Sequence, residues 1–125
     1  MDSFTFSGRI RSVKFAVDGI VLMLCNQHNA WVHLVATISV VIAGGLFGIT
    51  SVQWVAVIVA IVLVWVAEGL NTAFELLCDV TNPEFHPIVK QAKDVSAGAV
   101  LISAIGALII GLIVLVPYIL SVLGV

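Results

Sequence analysis

The feature that most constrains this chain is a long apolar stretch without charge. From Ala30 to Ala67 the chain carries no Asp, Glu, Lys or Arg. The stretch is too long for one membrane-spanning helix, which needs about 20 residues, and it suits two. Small and polar residues cluster within it at Gly48–Gln53, and we expect a break there. With 62% hydrophobic and 10% charged residues, the chain lacks the charged surface of a soluble domain. The sequence therefore predicts an integral membrane protein.

The N-terminal part of the chain predicts an amphipathic helix over residues 7–27. Ser7, Arg11, Lys14 and Asp18 fall at helical spacing along one stripe, and aliphatic residues occupy the other side. A helix with a basic wet face and an apolar opposite face is typical of the membrane interface. We therefore expect this segment to lie on the membrane surface and not to cross it.

Three transmembrane helices are predicted to follow, over residues 31–49, 52–80 and 94–123. The segment 81–91 is expected to be a loop, because its Asn-Pro and His-Pro pairs disfavour helical backbone. The predicted fold is all-α, with residues 1–125 forming a single membrane domain. Small residues recur every four positions in the third span, which favours close helix packing and a homo-oligomer.

The distribution of Lys and Arg predicts the orientation. All five lie before the first span or between the second and third. The positive-inside rule therefore predicts a cytoplasmic N-terminus. The net charge of −2 and the lack of a basic tract give no support for a nucleic-acid partner. The five residues are Arg9, Arg11, Lys14, Lys90 and Lys93.

The second span ends in an acidic face. Glu68, Asn71, Glu75 and Asp79 fall within an arc of roughly 80° on a helix. The uncharged part before them, Val52–Ala67, is about 24 Å long, so the first carboxylate lies near the edge of the hydrocarbon layer. An ionisable residue at that depth predicts a functional site. The alternative is that a carboxylate is simply solvated or snorkels to water, and this alternative stays open for Asp79.

Lys93 and Asp94 follow the predicted loop, next to this acidic face. They could anchor and cap the third helix at the interface. Alternatively, the lysine could bind phosphate. Carboxylates beside a lysine at the water boundary suit a Mg-nucleotide site, because Mg²⁺ binds carboxylates together with substrate phosphates. A carboxylate can also accept the proton of a hydroxyl that attacks a phosphoryl group.

Three motifs resemble those of the prokaryotic diacylglycerol kinase family, which includes the undecaprenol kinases. They are E-x-x-N-x-x-x-E-x-x-x-D at Glu68–Asp79, P-E-F-H-P at 83–87, and A-K-D followed by small residues at 92–100. The resemblance extends from about Gly8 to Pro117. The P-E-F-H-P motif is more similar to the undecaprenol kinase branch of the family.

The resemblance implies a homotrimer in the bacterial inner (plasma) membrane. It implies transfer of the γ-phosphate of ATP, with Mg²⁺, to the hydroxyl of undecaprenol or diacylglycerol at the cytoplasmic face. Glu68 would match the catalytic base of the family, Asn71 a site residue near it, and Glu75 a metal ligand.

The resemblance also implies nucleotide-site roles. Lys93 and Asp94 would match residues that bind the nucleotide. Arg9 or Arg11 would serve its phosphates, although the register of the N-terminal helix leaves the choice between the two arginines open.

One position departs from the family pattern. A glutamate just before the first span supplies a second metal carboxylate in the family, and the spacing to Glu68 places Gln27 there. An amide oxygen can ligate Mg²⁺ but adds no charge, so Gln27 is a weak metal ligand. With His28, Asn29 and His33 it is expected to form a neutral polar cluster. The departure motivates two alternatives: a lipid phosphate phosphatase on the same scaffold, or a non-catalytic lipid-binding relative.

Overall fold

The computed structural model describes residues 5–82 and 84–125, and within these residues all regular structure is helical. Three of the four helices are long and apolar enough to cross a membrane, while the first is not among them. The predicted all-α fold, with a helix preceding three transmembrane helices, is confirmed. The helices are α1 (Phe6–Asn26), α2 (His28–Phe47), α3 (Ser51–Thr81) and α4 (Pro87–Leu123).

The start of α4 differs from the prediction. The helix begins at Pro87 and not at residue 94, so the loop expected over 81–91 ends earlier. Proline at the first helical position loses no hydrogen bond, and its fixed φ fits a helix. The His86 side chain caps this end, because its Nδ1 accepts a hydrogen bond from a backbone N–H of the first turn at 3.2 Å. Pro83, in the same predicted loop, lies outside the described residues.

The turn between α2 and α3 falls inside the predicted break. Gly48 ends α2 with φ of 64°, a left-handed conformation that glycine adopts without strain. A reciprocal capping box then starts α3. The Thr50 backbone N–H donates to Gln53 Oε1 (2.8 Å), and the Gln53 backbone N–H donates to Thr50 Oγ1 (3.3 Å). The Tyr118 hydroxyl of α4 also donates to Gln53 Oε1 (2.8 Å), which joins the turn to the third span.

The best-packed apolar core lies at the same end of the bundle. Ile49, Val57 and Val114 are buried together there, one from the turn and one from each of α3 and α4. A Cβ added at Gly44 would lie 3.0 Å from the Trp54 ring, so the glycine allows α2 and α3 to approach closely. This end of the molecule is apolar, and we regard it as the structural end.

Gln53 is expected to stabilise this end through both the cap and the tyrosine contact. Gln53→Ala should lower the free energy of unfolding by about 1–2 kcal/mol, because it removes two hydrogen bonds around a helix start. Thermal unfolding of the purified protein in detergent measures the change. Gln91→Ala is the matched control, since Gln91 is exposed on α4. Equal Tm values for the two variants would contradict the prediction.

Both α3 and α4 are longer than the hydrocarbon layer is thick. With 31 residues in α3 and 37 in α4, the helices are about 46 Å and 55 Å long, against a hydrocarbon layer of about 30 Å. The charged side chains of both helices gather where α3 ends and α4 begins. Large apolar side chains along the spans are mostly exposed in the single chain, as expected for surfaces that face lipid or another subunit.

Candidate functional site

Glu68 lies in α3 and is completely buried. Neither carboxylate oxygen has a hydrogen-bond partner among the described residues. His33 of α2 approaches closely, with its Nε2 3.5 Å from Glu68 Oε2, but without the alignment of a hydrogen bond. An unpaired buried carboxylate costs several kcal/mol as an order of magnitude, so such a group is retained where it has a task.

A second group of polar side chains lies nearer the C-terminal end of α3, and we call it the amide–carboxylate cluster. It joins three parts of the chain: Gln27 between α1 and α2, Asn71 and Glu75 on α3, and Ser96 on α4. Glu75 accepts hydrogen bonds from Gln27 Nε2 (3.1 Å) and from Asn71 Nδ2 (3.3 Å). The Ser96 hydroxyl donates to Asn71 Oδ1 at 2.7 Å. The cluster therefore orients Glu75 through contacts from both neighbouring segments.

The two carboxylates of the site have different environments. Glu68 is buried and has no hydrogen-bond partner among the described residues, while Glu75 is half-buried and accepts two hydrogen bonds. Seven residues separate them on one helix, so they lie about 10 Å apart along its axis. One ion cannot contact both side chains directly at that separation. The arrangement supports two separate tasks.

The amide–carboxylate cluster offers oxygen ligands. Rotating the amide of Gln27 or Asn71 exchanges its nitrogen and oxygen, so both can present an acceptor beside Glu75. Mg²⁺ is commonly held by one or two carboxylates together with substrate phosphates and water. Within residues 5–82 and 84–125, no three His, Cys, Asp or Glu residues are grouped to hold a metal. The donor set therefore fits a Mg²⁺ ion whose coordination is completed by phosphate.

The two lysines near the start of α4 form ion pairs with different aspartates. Lys93 Nζ lies 2.8 Å from Asp79 Oδ1, so the lysine contacts the outer end of the acidic face. Asp94 instead pairs with Lys90 at 2.6 Å, and both side chains are well exposed. Because α4 begins two turns earlier, the interpretation of Asp94 as a helix cap is wrong. Lys93 is the cation of α4 that reaches the acidic face.

Arg9 and Arg11 lie in the first turns of α1 and are exposed. Gln27 follows the other end of this helix, and about 22 Å of helix axis separates Arg11 from Asn26. The single chain thus does not bring either arginine to the amide–carboxylate cluster.

The polar residues before and within α2 do not form the expected neutral cluster, and that prediction is wrong. His28 and Asn29 are exposed, Gln27 bonds to Glu75, and His33 faces Glu68. The sequence signal that indicates His33 as a site residue is a titratable side chain within a span that is otherwise uncharged.

Ser96 was not predicted as a site residue. It stands in a run of small residues that are common in membrane helices. Its bond to Asn71 depends on how α3 and α4 pack, and nothing in its own neighbourhood in the sequence distinguishes it from Ser103.

A groove of about 820 Å³ runs between α3 and α4 and passes Asn71 and Ser96. Its walls are mainly aliphatic and aromatic, and its polar lining includes Asn71 and Ser96 of the cluster. A groove with mainly apolar walls and a few polar groups suits an amphipathic molecule.

The chain is similar to one protein family and to several individual proteins of known name. The model of the prokaryotic diacylglycerol kinase family matches residues 14–115. The undecaprenol kinase of Bacillus subtilis is 35% identical over 107 residues, covering 86% of this chain and 87% of the relative. A diacylglycerol kinase of Synechocystis is 34% identical over 111 residues, which is 88% of this chain and 63% of that longer relative. The diacylglycerol kinase of Escherichia coli K12 is 33% identical over 104 residues, 83% of this chain and 85% of the relative.

Proposed function

The chain belongs to the prokaryotic diacylglycerol kinase family, and we propose that it is a lipid kinase of the bacterial membrane. It transfers the γ-phosphate of ATP, with Mg²⁺, to the hydroxyl of a lipid alcohol, either undecaprenol or diacylglycerol. The observation that carries the proposal is the buried Glu68, which has no hydrogen-bond partner in the described part of the chain, on the same helix as the hydrogen-bonded Glu75. A base and a carboxylate that can hold the metal of a metal–nucleotide complex, both on one helix, are two parts that phosphoryl transfer uses.

Glu68 is assigned as the base. Its carboxylate accepts the hydroxyl proton of the lipid while the hydroxyl oxygen attacks the γ-phosphorus of ATP, and ADP leaves. Because Glu68 is fully enclosed, a neighbouring side chain must move before the hydroxyl can reach it. Met23 of α1 is buried against the adjacent Gly69, and we propose that it is the side chain that moves. The apolar groove between α3 and α4 is a suitable place for the lipid chain.

The amide–carboxylate cluster is assigned to the metal–nucleotide complex. Glu75 is the charged ligand, Gln27 is a neutral one, and Asn71 orients Glu75. When bound, Mg²⁺ neutralises phosphate charge that develops during transfer. Lys93 is assigned to the nucleotide phosphates, which it reaches by exchanging its contact with Asp79.

Asp94 can join the nucleotide site only after its ion pair with Lys90 opens, so its assignment depends on binding. We propose that Arg9 or Arg11 serves the nucleotide phosphates, as the resemblance to the family implies.

The functional protein is proposed to be a homotrimer with a cytoplasmic N-terminus. The exposed apolar faces of the spans and the small residues of α4 favour contacts between subunits. All five basic residues lie on α1 or at the site end of α4, which favours that end facing the cytoplasm. ATP is then available on the side where the site opens.

The test is a lipid panel with the purified protein in bilayer nanodiscs. Undecaprenol and diacylglycerol are each incubated with γ-labelled ATP, with and without Mg²⁺, and labelled lipid phosphate is counted. We expect label in at least one lipid, only when ATP and Mg²⁺ are both present. Phosphate release from a lipid phosphate without ATP would instead favour a phosphatase. Lipid binding without any transfer would favour a non-catalytic relative.

The Gln27→Glu variant is expected to strengthen metal binding. A second carboxylate beside Glu75 adds one unit of negative charge, so the Mg²⁺ concentration for half-maximal activity should fall roughly tenfold, equivalent to about 1.4 kcal/mol. Titrating Mg²⁺ at saturating ATP measures the shift. Asn29→Asp adds the same charge at an exposed neighbouring position and serves as the control. A similar shift in both variants would mean that general charge near the site, and not ligation, is responsible.

A further inference from the structure

His33 is a residue of α2 that faces the proposed base, and the mechanism above gives it no role. Its side chain is 12% exposed and that of Glu68 is 1% exposed. Its Nε2 and both Glu68 carboxylate oxygens lack hydrogen-bond partners among the described residues. Two buried groups of complementary chemistry at 3.5 Å are suited to pair with each other.

The edge-on Trp65 ring borders the imidazole ring beside the carboxylate. The His33 ring lies edge-on to Trp65, with ring centroids 6.5 Å apart and planes at 72°. The Trp65 indole N–H donates to Thr37 Oγ1 at 3.0 Å. His33 and Thr37 are one turn apart on α2, and Trp65 and Glu68 are one turn apart on α3, so the two contacts lie side by side between the helices. The Trp65 ring thus contacts the imidazole, while the Trp65–Thr37 hydrogen bond belongs to the helix packing beside it.

We propose that His33 is the positioning residue of Glu68. Its Nε2–H donates to Glu68 Oε2, which fixes the plane of the carboxylate and leaves Oε1 to accept the lipid hydroxyl proton. A small change of side-chain torsion closes the 3.5 Å separation, and catalytic hydrogen bonds commonly tighten when substrate binds. This inference rests on the proposed kinase function, and it adds a residue of α2 to a base supplied by α3.

The kinetic test compares two substitutions of His33. His33→Leu removes the donor, whereas His33→Gln keeps an N–H at a similar reach. We expect kcat of His33→Leu to fall about 10- to 100-fold, the size of one hydrogen bond to a charged group, with KM for ATP and lipid within about twofold. His33→Gln should recover most of the loss. Wild-type kcat in His33→Leu would overturn the proposal.

Thr37→Val separates positioning from loosened packing. It breaks the neighbouring contact with Trp65 and leaves the approach of His33 to Glu68 in place. We expect Thr37→Val to lower Tm while its kcat stays within about twofold of wild type, because a packing loss acts on stability and not on the base. An equal loss of kcat in Thr37→Val and His33→Leu would overturn the proposal.

A spectroscopic measurement tests the contact without relying on activity. The ¹⁵N resonance of His33 Nε2 is recorded in lipid bilayers for the wild type and for Glu68→Gln, with exposed His28 as the internal reference. We expect the His33 signal to shift and the His28 signal to stay. An inactive wild type that shows this shift would contradict the kinase function alone. An active wild type without the shift would contradict the role of His33 alone.

Discussion

Glu68→Gln is expected to lower kcat by about 10² to 10⁴-fold, the usual contribution of a positioned general base. The amide keeps the size of the side chain and removes its ability to accept a proton. Binding of ATP and lipid should change little, because Glu68 lies about 10 Å along the helix from Glu75. Single-turnover transfer of labelled phosphate at saturating substrates measures the effect on the chemical step.

The same variant is expected to keep or raise the stability of the protein. Glu68 is buried and its oxygens lack partners among the described residues, so removing its charge relieves a desolvation cost. Thermal unfolding in detergent provides the readout. Glu84→Gln is the matched control, since Glu84 is exposed in the loop between α3 and α4. The assignment of Glu68 as base fails if Glu68→Gln transfers phosphate at the rate of Glu84→Gln.

Glu75→Gln is expected to act on metal dependence. Glu75 is the single carboxylate of the amide–carboxylate cluster, and the variant leaves a site of neutral amides. Loss of a group that only supports a metal ligand lowers metal affinity roughly 10- to 100-fold. Loss of the ligand itself should therefore lower the Mg²⁺ affinity by about 100-fold or more. Activity against Mg²⁺ concentration should shift by that factor, and high Mg²⁺ should recover part of the rate.

Comparing the two variants separates the two tasks. Excess Mg²⁺ should not recover Glu68→Gln, because that variant lacks the proton acceptor and retains the metal ligand. Recovery of Glu68→Gln by Mg²⁺, or a Mg²⁺ curve for Glu75→Gln that matches wild type, would contradict the assignment of base and ligand to these positions. Mn²⁺ provides an independent check, since it prefers similar oxygen ligands.

The membrane helices were predictable because their signal is local. Some apolar runs are longer than the buried helix of a soluble protein. Such a run has few alternatives to crossing a bilayer, so composition and spacing predict α2 and α3. The start of α4 was not predicted. Proline was interpreted as ending helical structure, whereas Pro87 occupies the first helical position and His86 caps it. A proline can lie before a helix or at its first position. Which of the two occurs depends here on the capping contact of His86, which the sequence pattern does not show.

The sequence predicts which residues of α3 belong to the site. The helical period alone places Glu68, Asn71, Glu75 and Asp79 on one face, and all four lie in α3. The period cannot assign burial, since that depends on what packs against the face. Glu68 is enclosed, whereas Asp79 is exposed and paired with a lysine, so the solvated alternative applies to Asp79.

The sequence by itself determined the membrane class, the number of spans and the acidic face, because hydropathy and helical period act over a few neighbouring residues. Only the tertiary structure decided which side chains meet across helices. It paired Gln27 with Glu75, Ser96 with Asn71, and His33 with the carboxylate of α3. These contacts depend on the rotation and depth of each helix against its neighbours. Such contacts are set by packing over the whole bundle, and no local pattern encodes them.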